Sequence, residues 1–221
     1  MRAPLPVALL VSGEGTTMEA LAERAADGRL PIRIVLAVAD RPDTPAIARA
    51  RRRGLPTWVA SHRGVDPERW SGQIGDALTA HGAELVVLAG FLSILPPSWV
   101  ERWRGRAINV HPSLLPRYGG PGMYGRRVLE AVLAAGERTT GATVHLVGNE
   151  VDRGLPIAQE RVPVAPGDTV ESLRARLHPV EVELLARTLR RFADGSLALP
   201  YDPSEPGARA AGRRGGTEER G

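Results

Sequence analysis

The chain has 221 residues, of which 43% are hydrophobic and 24% charged, and its formal net charge is +4. This length and composition suit a single α/β domain, or one domain with a tail, and they exclude a disordered chain. Cysteine and lysine are both absent, which excludes disulfides, thiolate nucleophiles, Cys-ligated metals, Schiff-base lysines and the P-loop lysine.

The charge and the apolar pattern limit the classes of partner. A mild positive balance, carried entirely by arginine, is compatible with anionic small molecules. Nucleic acid is the alternative, but the arginines are scattered and aromatic residues make up only 4% of the chain, so base-stacking platforms are scarce. No apolar run approaches the roughly 18 residues of a membrane span, and no signal peptide is visible. We therefore expect a cytoplasmic protein that binds neither nucleic acid nor membranes.

The first half of the chain alternates short apolar runs with helical patterns. Pro45 begins one predicted helix and Gly54 ends it, and Thr16 or Thr17 lies near the N-cap of another. The run 85–89 is continuously apolar, which is typical of a strand buried on both faces. The predicted strands are 7–11, 32–38, 57–59 and 85–89, and the predicted helices are 17–26, 45–53, 67–81 and 97–103.

The second half continues the alternation and then departs from it. The predicted elements are a strand at 107–111, a helix at 124–135, strands at 143–147 and 157–162, and a helix at 170–192. The two late strands bracket Gly154 and predict an antiparallel pair. The fold class is therefore α/β, a Rossmann-like, mainly parallel sheet flanked by helices with one antiparallel extension. The domain is expected to span 1–200, followed by a disordered Arg/Gly-rich tail at 201–221.

The 12–17 loop, Ser-Gly-Glu-Gly-Thr-Thr, joins the first predicted strand to the first helix. Glycines allow backbone N–H groups to approach a ligand closely, and a helix N-terminus favours an anion. Gly15, Thr16 and Thr17 are therefore candidates for binding a phosphate, with an ordinary strand-to-helix turn as an equally weighted alternative. The spacing lacks the third glycine of the dinucleotide fingerprint, which disfavours NAD.

Asn109 and His111 lie two residues apart on a predicted strand that Pro112 ends. Their side chains therefore point to the same side, at the carboxyl end of the strand, where α/β sheets bind ligands. Imidazole carries protons near neutral pH, and an amide donates a hydrogen bond to a developing oxyanion. The pair is a candidate for catalysis, and a core histidine bonded to the backbone is the alternative.

Asp152 lies in a predicted tight turn, where a carboxylate usually accepts hydrogen bonds from nearby N–H groups. That structural role is the favoured interpretation of the turn alone. If the turn folds against His111, however, the carboxylate would raise the pKa of the imidazole and hold its orientation.

The 90–95 loop follows the most apolar strand, and it is either a slot for a flat ring or a buried loop. His145 is expected to pack or bond inside the sheet. The remaining histidines show no metal-ligand spacing, so we predict no metal site. These histidines are His62, His81 and His178.

Three blocks of sequence are more specific than these general patterns. They are Val87-Leu-Ala-Gly-Phe-Leu-Ser-Ile-Leu95, then Ile108-Asn-Val-His-Pro-Ser-Leu-Leu-Pro116, then Gly141-Ala-Thr-Val-His145 running to Asp152-Arg-Gly154. Together with the 12–17 loop, these blocks resemble the phosphoribosylglycinamide formyltransferases, the folate-dependent enzymes of purine synthesis, over roughly residues 5–198. The block beginning at Ile108 is typical of formyl transfer from tetrahydrofolate and less specific to the acceptor.

The resemblance implies that the amine of glycinamide ribonucleotide attacks the formyl carbon of 10-formyltetrahydrofolate, the co-substrate. On the family pattern, Asn109 would stabilise the tetrahedral oxyanion. His111 would assist while protonated or relay the proton. Asp152 would keep His111 charged and help to move the amine proton toward the folate nitrogen.

The resemblance also implies where the two substrates bind. The ribonucleotide phosphate would be held by Gly15, Thr16 and Thr17, and the ribonucleotide end of the site would include Glu181. The folate pocket would be lined by Leu92, Ser93, Ile94 and Leu95 together with Asn109.

Glu14 departs from the family pattern, because it adds a carboxylate beside the expected phosphate and so bears on the acceptor. Other formyltetrahydrofolate-dependent transferases, acting on methionyl-tRNA or an amino sugar nucleotide, are the nearest alternative, although such relatives usually carry an added C-terminal domain. A noncatalytic phosphate or nucleotide binder would use the 12–17 loop and need neither Asn109 nor Asp152. A homodimer is left open.

Overall fold

The computed structural model describes residues 3–197, which contain a seven-stranded sheet. The sheet order is β3-β2-β1-β4-β5-β6-β7. The strands are β1 (Leu5–Val11), β2 (Ile32–Ala39), β3 (Thr57–Val59), β4 (Leu85–Leu88), β5 (Ala107–His111), β6 (Thr139–Leu146) and β7 (Pro156–Pro163). The pairs from β3 to β5 are parallel, whereas β5–β6 and β6–β7 are antiparallel.

Helices cover both faces of the sheet. They are α1 (Thr16–Ala26), α2 (Pro45–Arg52), α3 (Pro67–Ala80), α4 (Pro97–Arg102), α5 (Arg126–Ala134) and α6 (Val170–Asp194). One apolar core joins the sheet to α1, α2, α5 and α6, and a second core joins its other face to α3 and α4. Successive residues of β1 alternate between the two cores, which explains why that strand is apolar throughout.

The architecture confirms the predicted fold class, a mainly parallel α/β sheet with an antiparallel extension. All element ends but one coincide with the prediction or differ from it by one or two residues. The largest difference is at β6, which begins at Thr139 instead of Thr143. Its polar start resembles a loop, but Gly141 pairs with Arg161 there, and a Cβ at Gly141 would lie 2.1 Å from the carbonyl oxygen of Glu160.

The strand order places the loops after β1, β4 and β5 at one edge of the sheet. Because β1 lies between β2 and β4, the order reverses beside it, and such a switch point opens a crevice at the carboxyl ends of the strands. The 12–17 loop, the 90–95 loop and His111 all lie at this edge. The predicted tail at 201–221 lies outside the described residues. Within 3–197, no helix combines the length and apolar character needed to cross a membrane.

Candidate active site

Two adjoining cavities lie at the carboxyl edge of the sheet. The larger has a volume of about 520 Å³ and is lined by the 12–17 loop, by the ends of β4 and β5, by the 120–125 segment and by α6. The smaller, of about 110 Å³, lies between the 90–95 loop and residues 147–152. Asn109 and Asp152 line both cavities, so they stand where the two meet.

Asn109 is held by a histidine on the neighbouring strand. It pairs directly with His145 in the β5–β6 register, and its Nδ2 lies 3.1 Å from Nε2 of that residue. His145 directs its Nδ1 at the carbonyl oxygen of Leu146, 2.8 Å away, so Nδ1 carries the proton and Nε2 accepts from Asn109. One hydrogen of the Asn109 amide is thereby used inside the protein. The other points toward Oδ1 of Asp152 at 3.5 Å, a long contact that leaves it available for a ligand.

His111 is buried, with an exposed fraction of 3%, and its two nitrogens face different partners. Nε2 donates to the carbonyl oxygen of Tyr118 at 2.8 Å. Nδ1 lies 3.4 Å from Oδ2 of Asp152. Tyr118 adopts a φ of 56°, and its hydroxyl donates to Glu137 at 2.7 Å, which fixes the carbonyl that orients the imidazole.

Asp152 reaches this group from the turn between β6 and β7. Its φ is 56°, in the left-handed region that aspartate tolerates better than most residues. Oδ2 accepts the Gly120 N–H at 3.1 Å, and Oδ1 lies 3.6 Å from Nε2 of His145. The turn thus folds against His111, the condition under which the sequence favoured a functional role.

Burial and neighbouring charge oppose one another at the His111–Asp152 pair. Burial lowers the pKa of His111, against the charge of Asp152 and the hydrogen bond to Tyr118. Burial alone would raise the pKa of Asp152, but its contacts with His145, His111 and the Gly120 N–H outweigh burial and hold that pKa below its usual range. Near neutral pH the carboxylate is therefore ionised, and the imidazole gives up its proton readily.

The 12–17 loop presents unpaired backbone donors to the larger cavity. Helix α1 begins at Thr16, one residue earlier than predicted, and its N-cap is Gly15 with a φ of 74° and no side-chain cap. Because the first intrahelical bond runs from the Glu19 N–H to the Gly15 carbonyl, the preceding N–H groups of α1 have no partner within the helix. A Cβ at Gly15 would lie 2.5 Å from that of Ala46, so only glycine fits. The end of this loop is suited to an anion.

Glu14 lines the larger cavity but is largely exposed to solvent. Its side chain is 62% exposed, and its carboxylate lies 3.8 Å from the guanidinium of Arg49. The solvent and this partner weaken its repulsion of an anion bound at the Thr16 end of the loop.

Some residues of the 90–95 loop face the two cavities, and others pack or form hydrogen bonds within the protein. Leu92 and Ile94 are exposed by 46% and 71% and line both cavities. Ser93 and Leu95 line the smaller cavity, although Leu95 is buried in the core. The N–H of Leu92 donates to the Ser12 hydroxyl at 2.8 Å, so that donor is used within the protein.

Helix α6 forms the far wall of the larger cavity. Arg174, His178 and Glu181 line it, and their spacing of four and three residues places them on one helical face. Burial raises the pKa of Glu181 to about 7, and the positive charge of Arg174 opposes this. Burial and Arg174 both lower the pKa of His178. The wall thus holds a fixed cation, Arg174, beside a carboxyl group whose pKa is raised to about 7.

Comparison with known proteins places this site in a family. The formyl transferase family pattern matches residues 5–189. A phosphoribosylglycinamide formyltransferase of Haemophilus influenzae is 32% identical over 194 residues, covering 87% of this chain and 89% of that protein. The chain belongs to the formyl transferase family.

Two further comparisons support this family, one through sequence and one through structure. The trifunctional purine biosynthetic protein adenosine-3 of Gallus gallus is 38% identical to the formyl transferase described here, over 87% of this chain but 19% of that longer protein. A crystal structure of glycinamide ribonucleotide transformylase 1 from Symbiobacterium toebii superposes with a TM-score of 0.82 at 33% identity, covering 88% of this chain and 90% of that one. Sequence and fold are therefore similar over the same length.

The structure of this formyl transferase brings the predicted site residues to the two cavities. Asp152 contacts both Asn109 and His111. The residues of the 12–17 loop, the 90–95 loop and Glu181 line the surrounding walls. Across residues 3–197 no cluster of three or more histidine, aspartate or glutamate side chains could hold a metal ion.

Sequence reasoning missed the place of three residues in this formyl transferase. His145 was expected inside the sheet, and although it is buried there, it also holds Asn109 and touches Asp152. Its place opposite Asn109 depends on strand register, which no local pattern reveals. Arg174 and His178 share a helical face with Glu181, and that spacing was the signal available in the sequence.

Proposed function

We propose that this formyl transferase transfers the formyl group of 10-formyltetrahydrofolate to the amine of glycinamide ribonucleotide. The observation that carries the proposal is the contact of Asn109, His111 and Asp152 at the junction of two cavities, one walled by an anion-type loop and the other by an apolar loop. The names of relatives that match most of this chain, from Haemophilus influenzae and Symbiobacterium toebii, support the same reaction.

Each cavity fits one substrate. The phosphate of the ribonucleotide binds at the 12–17 loop, through Gly15, Thr16 and Thr17, and Glu181 on α6 contacts the ribonucleotide end of the site. The pterin ring enters the smaller cavity against Leu92, Ser93, Ile94 and Leu95. The formyl carbon then lies at the junction, within reach of the amine from one side and of Asn109 from the other.

The reaction begins when the lone pair of the amine forms a bond to the formyl carbon, and the carbonyl π electrons move to the formyl oxygen. Asn109 donates its remaining amide hydrogen to that oxyanion, and His145 keeps the amide turned the correct way. A preorganised donor of this kind contributes roughly 3–4 kcal/mol to the stability of the transition state.

His111 and Asp152 move the proton. The nitrogen that attacks must lose a proton, and the folate nitrogen that leaves must gain one as the bond from it to carbon breaks. The imidazole of His111, whose pKa is lowered by burial, accepts the proton of the amine and gives it up readily to the folate nitrogen, and the ionised Asp152 stabilises it while it is charged. The oxyanion collapses to the formamide as the reduced folate departs.

A cytoplasmic location stays a prediction from the sequence, and a homodimer stays open. The deciding experiment measures conversion of 10-formyltetrahydrofolate to tetrahydrofolate by the purified protein, with and without an acceptor. We expect turnover with glycinamide ribonucleotide, and none with an amino sugar nucleotide, with methionyl-tRNA or without acceptor. The variant His111→Ala is the control for contaminating activity. Folate binding without acceptor-dependent turnover would contradict the proposal and favour a noncatalytic binder.

A further inference from the structure

A buried carboxylate outside the reacting group joins the two substrate loops. Asp40 follows β2 directly, and its residue is only 2% exposed. We propose that Asp40 is a positioning residue that fixes the 12–17 loop against the 90–95 loop, and thereby sets the distance between the two substrates. The inference rests on the proposed function, because it assigns one substrate to each loop.

The contacts form one continuous chain of hydrogen bonds. The Leu92 N–H donates to the Ser12 hydroxyl at 2.8 Å, and that hydroxyl donates to Oδ2 of Asp40 at 2.7 Å. The Ser93 hydroxyl donates to the same Oδ2 at 2.6 Å. Ser12 belongs to the 12–17 loop, and Leu92 and Ser93 belong to the 90–95 loop. Asp40 therefore binds both loops through a single oxygen.

The other oxygen of Asp40, Oδ1, takes no part in joining the two loops. Oδ1 of Asp40 is buried and accepts no hydrogen bond, and its nearest cation is Nε of Arg41 at 3.5 Å. Arg41 is 55% exposed and also donates to the Ser12 carbonyl at 2.7 Å. Because Oδ2 is the acceptor of both hydroxyls, replacing the acid by alanine leaves two inward-facing hydroxyls without their acceptor.

The position of this network connects it to the chemistry. β1 lies between β2 and β4 in the sheet, so Asp40 spans from the end of β2 across the end of β1 to the loop after β4. The ribonucleotide is placed by the loop after β1, and the folate by the loop after β4. Because reacting atoms must be held at about 3–3.5 Å, and a misplacement of about 1 Å costs roughly 10²-fold in rate, the relative position of these loops controls kcat.

The experiment compares Asp40→Ala, Asp40→Asn and Ser93→Ala with the wild-type protein. We expect kcat at saturating substrates to fall about 100-fold in Asp40→Ala and about tenfold in Ser93→Ala. In Asp40→Ala, the Kd of each substrate measured alone, with tetrahydrofolate standing for the folate, should change about twofold or less. Asp40→Asn keeps an oxygen that accepts from both hydroxyls, so it restores most of the lost kcat.

A readout independent of activity follows the Leu92 amide. Its hydrogen exchange is slow while Ser12 accepts from it, and we expect exchange to quicken by about tenfold in Asp40→Ala, because Ser12 loses the partner that orients its hydroxyl. Ser71→Ala is the matched control, since Ser71 is 1% exposed and donates to the Glu68 carbonyl on α3, away from both cavities. We expect the Ser71→Ala variant to lose stability without a change in kcat.

Several results would overturn the inference. One is an unchanged kcat in Asp40→Ala with a loss of stability like that of Ser71→Ala, and another is an Asp40→Asn variant as slow as Asp40→Ala. A third is a loss of activity in Asp40→Ala that is explained wholly by a change in the Kd of one substrate. If Asp40→Ala does not fold, the inference is tested on Ser93→Ala instead, through its kcat and the hydrogen-exchange rate of its Leu92 amide. A wild-type protein without formyl transfer contradicts the proposed function instead, and the exchange measurement still tests the network.

Discussion

The parallel part of the sheet supplies loops to the candidate active site, whereas the antiparallel part supplies buried side chains. The parallel strands end in the 12–17 and 90–95 loops, which form the walls of the cavities. The antiparallel part supplies buried side chains, with His145 from β6 and Asp152 from the turn that follows it. β5 pairs with both parts and carries Asn109 and His111. Under the proposed function, binding and chemistry therefore belong to different parts of the sheet, and they meet on β5.

The sharpest test of this division is Asp152→Asn, which removes a charge from the antiparallel part. We expect kcat to fall by about 10²–10⁴-fold with the KM of both substrates little changed. The charge of Asp152 raises the pKa of His111 against burial, so its removal lowers that pKa further. If neutral His111 is the reactive form, the acid limb of the pH profile of kcat/KM moves to lower pH.

The matched control is Asp76→Asn, because Asp76 is 76% exposed and pairs only with Arg102 on the far side of the molecule. It should leave kcat and the pH profile unchanged. An acid limb that moves to higher pH in Asp152→Asn would contradict the assigned electrostatics.

His145→Ala tests whether the antiparallel strand positions Asn109. Without its partner at 3.1 Å, the Asn109 amide is free to rotate, so we expect kcat to fall by about 10- to 100-fold with little change in either KM. Steady-state kinetics measure this. The exposed His81, which caps the C-terminus of α3, provides the control His81→Ala. A rise in KM at constant kcat would place His145 among the binding residues instead.

Gly15→Ala tests the binding role of the parallel part. The left-handed φ of 74° costs a non-glycine residue about 1–2 kcal/mol, and the added Cβ also meets Ala46. We expect the KM for the ribonucleotide to rise about tenfold, with kcat nearly unchanged. Gly28→Ala is the control. Gly28 has a φ of 76° and open space around the added Cβ, so this variant has the backbone strain without the steric contact. Equal KM values in the two variants would remove Gly15 from the phosphate site.

The smallest expected effect is that of Glu14→Gln. Glu14 is exposed and paired only loosely with Arg49, so the free energy of unfolding should change by less than about 0.5 kcal/mol. Removal of a negative charge near the phosphate should lower the ribonucleotide KM by about two- to threefold at low salt, and less at high salt. Glu84→Gln, at the opposite edge of the sheet, should show neither effect. An increase in KM would mean that Glu14 contacts the substrate.

Local patterns were sufficient for most of the fold. Continuous apolar runs marked the buried strands, and Pro45 and Pro67 marked the starts of helices, because these features act within a few residues. The start of β6 was missed, since Thr139 to Gly141 form a strand only by pairing with β7. The N-cap of α1 was also placed late, because Gly15 in the left-handed region takes the position expected of a threonine.

The sequence by itself determined which residue types were available for chemistry and at which strand ends they lie. Asn109 and His111 share a side of one strand because the strand repeat is two residues. Only the tertiary structure decided which partners they meet. His145 lies opposite Asn109 through antiparallel register, and Asp152 reaches His111 because its turn closes over the end of β5. Contacts between residues distant in sequence depend on how the whole chain packs, and no short segment encodes that packing.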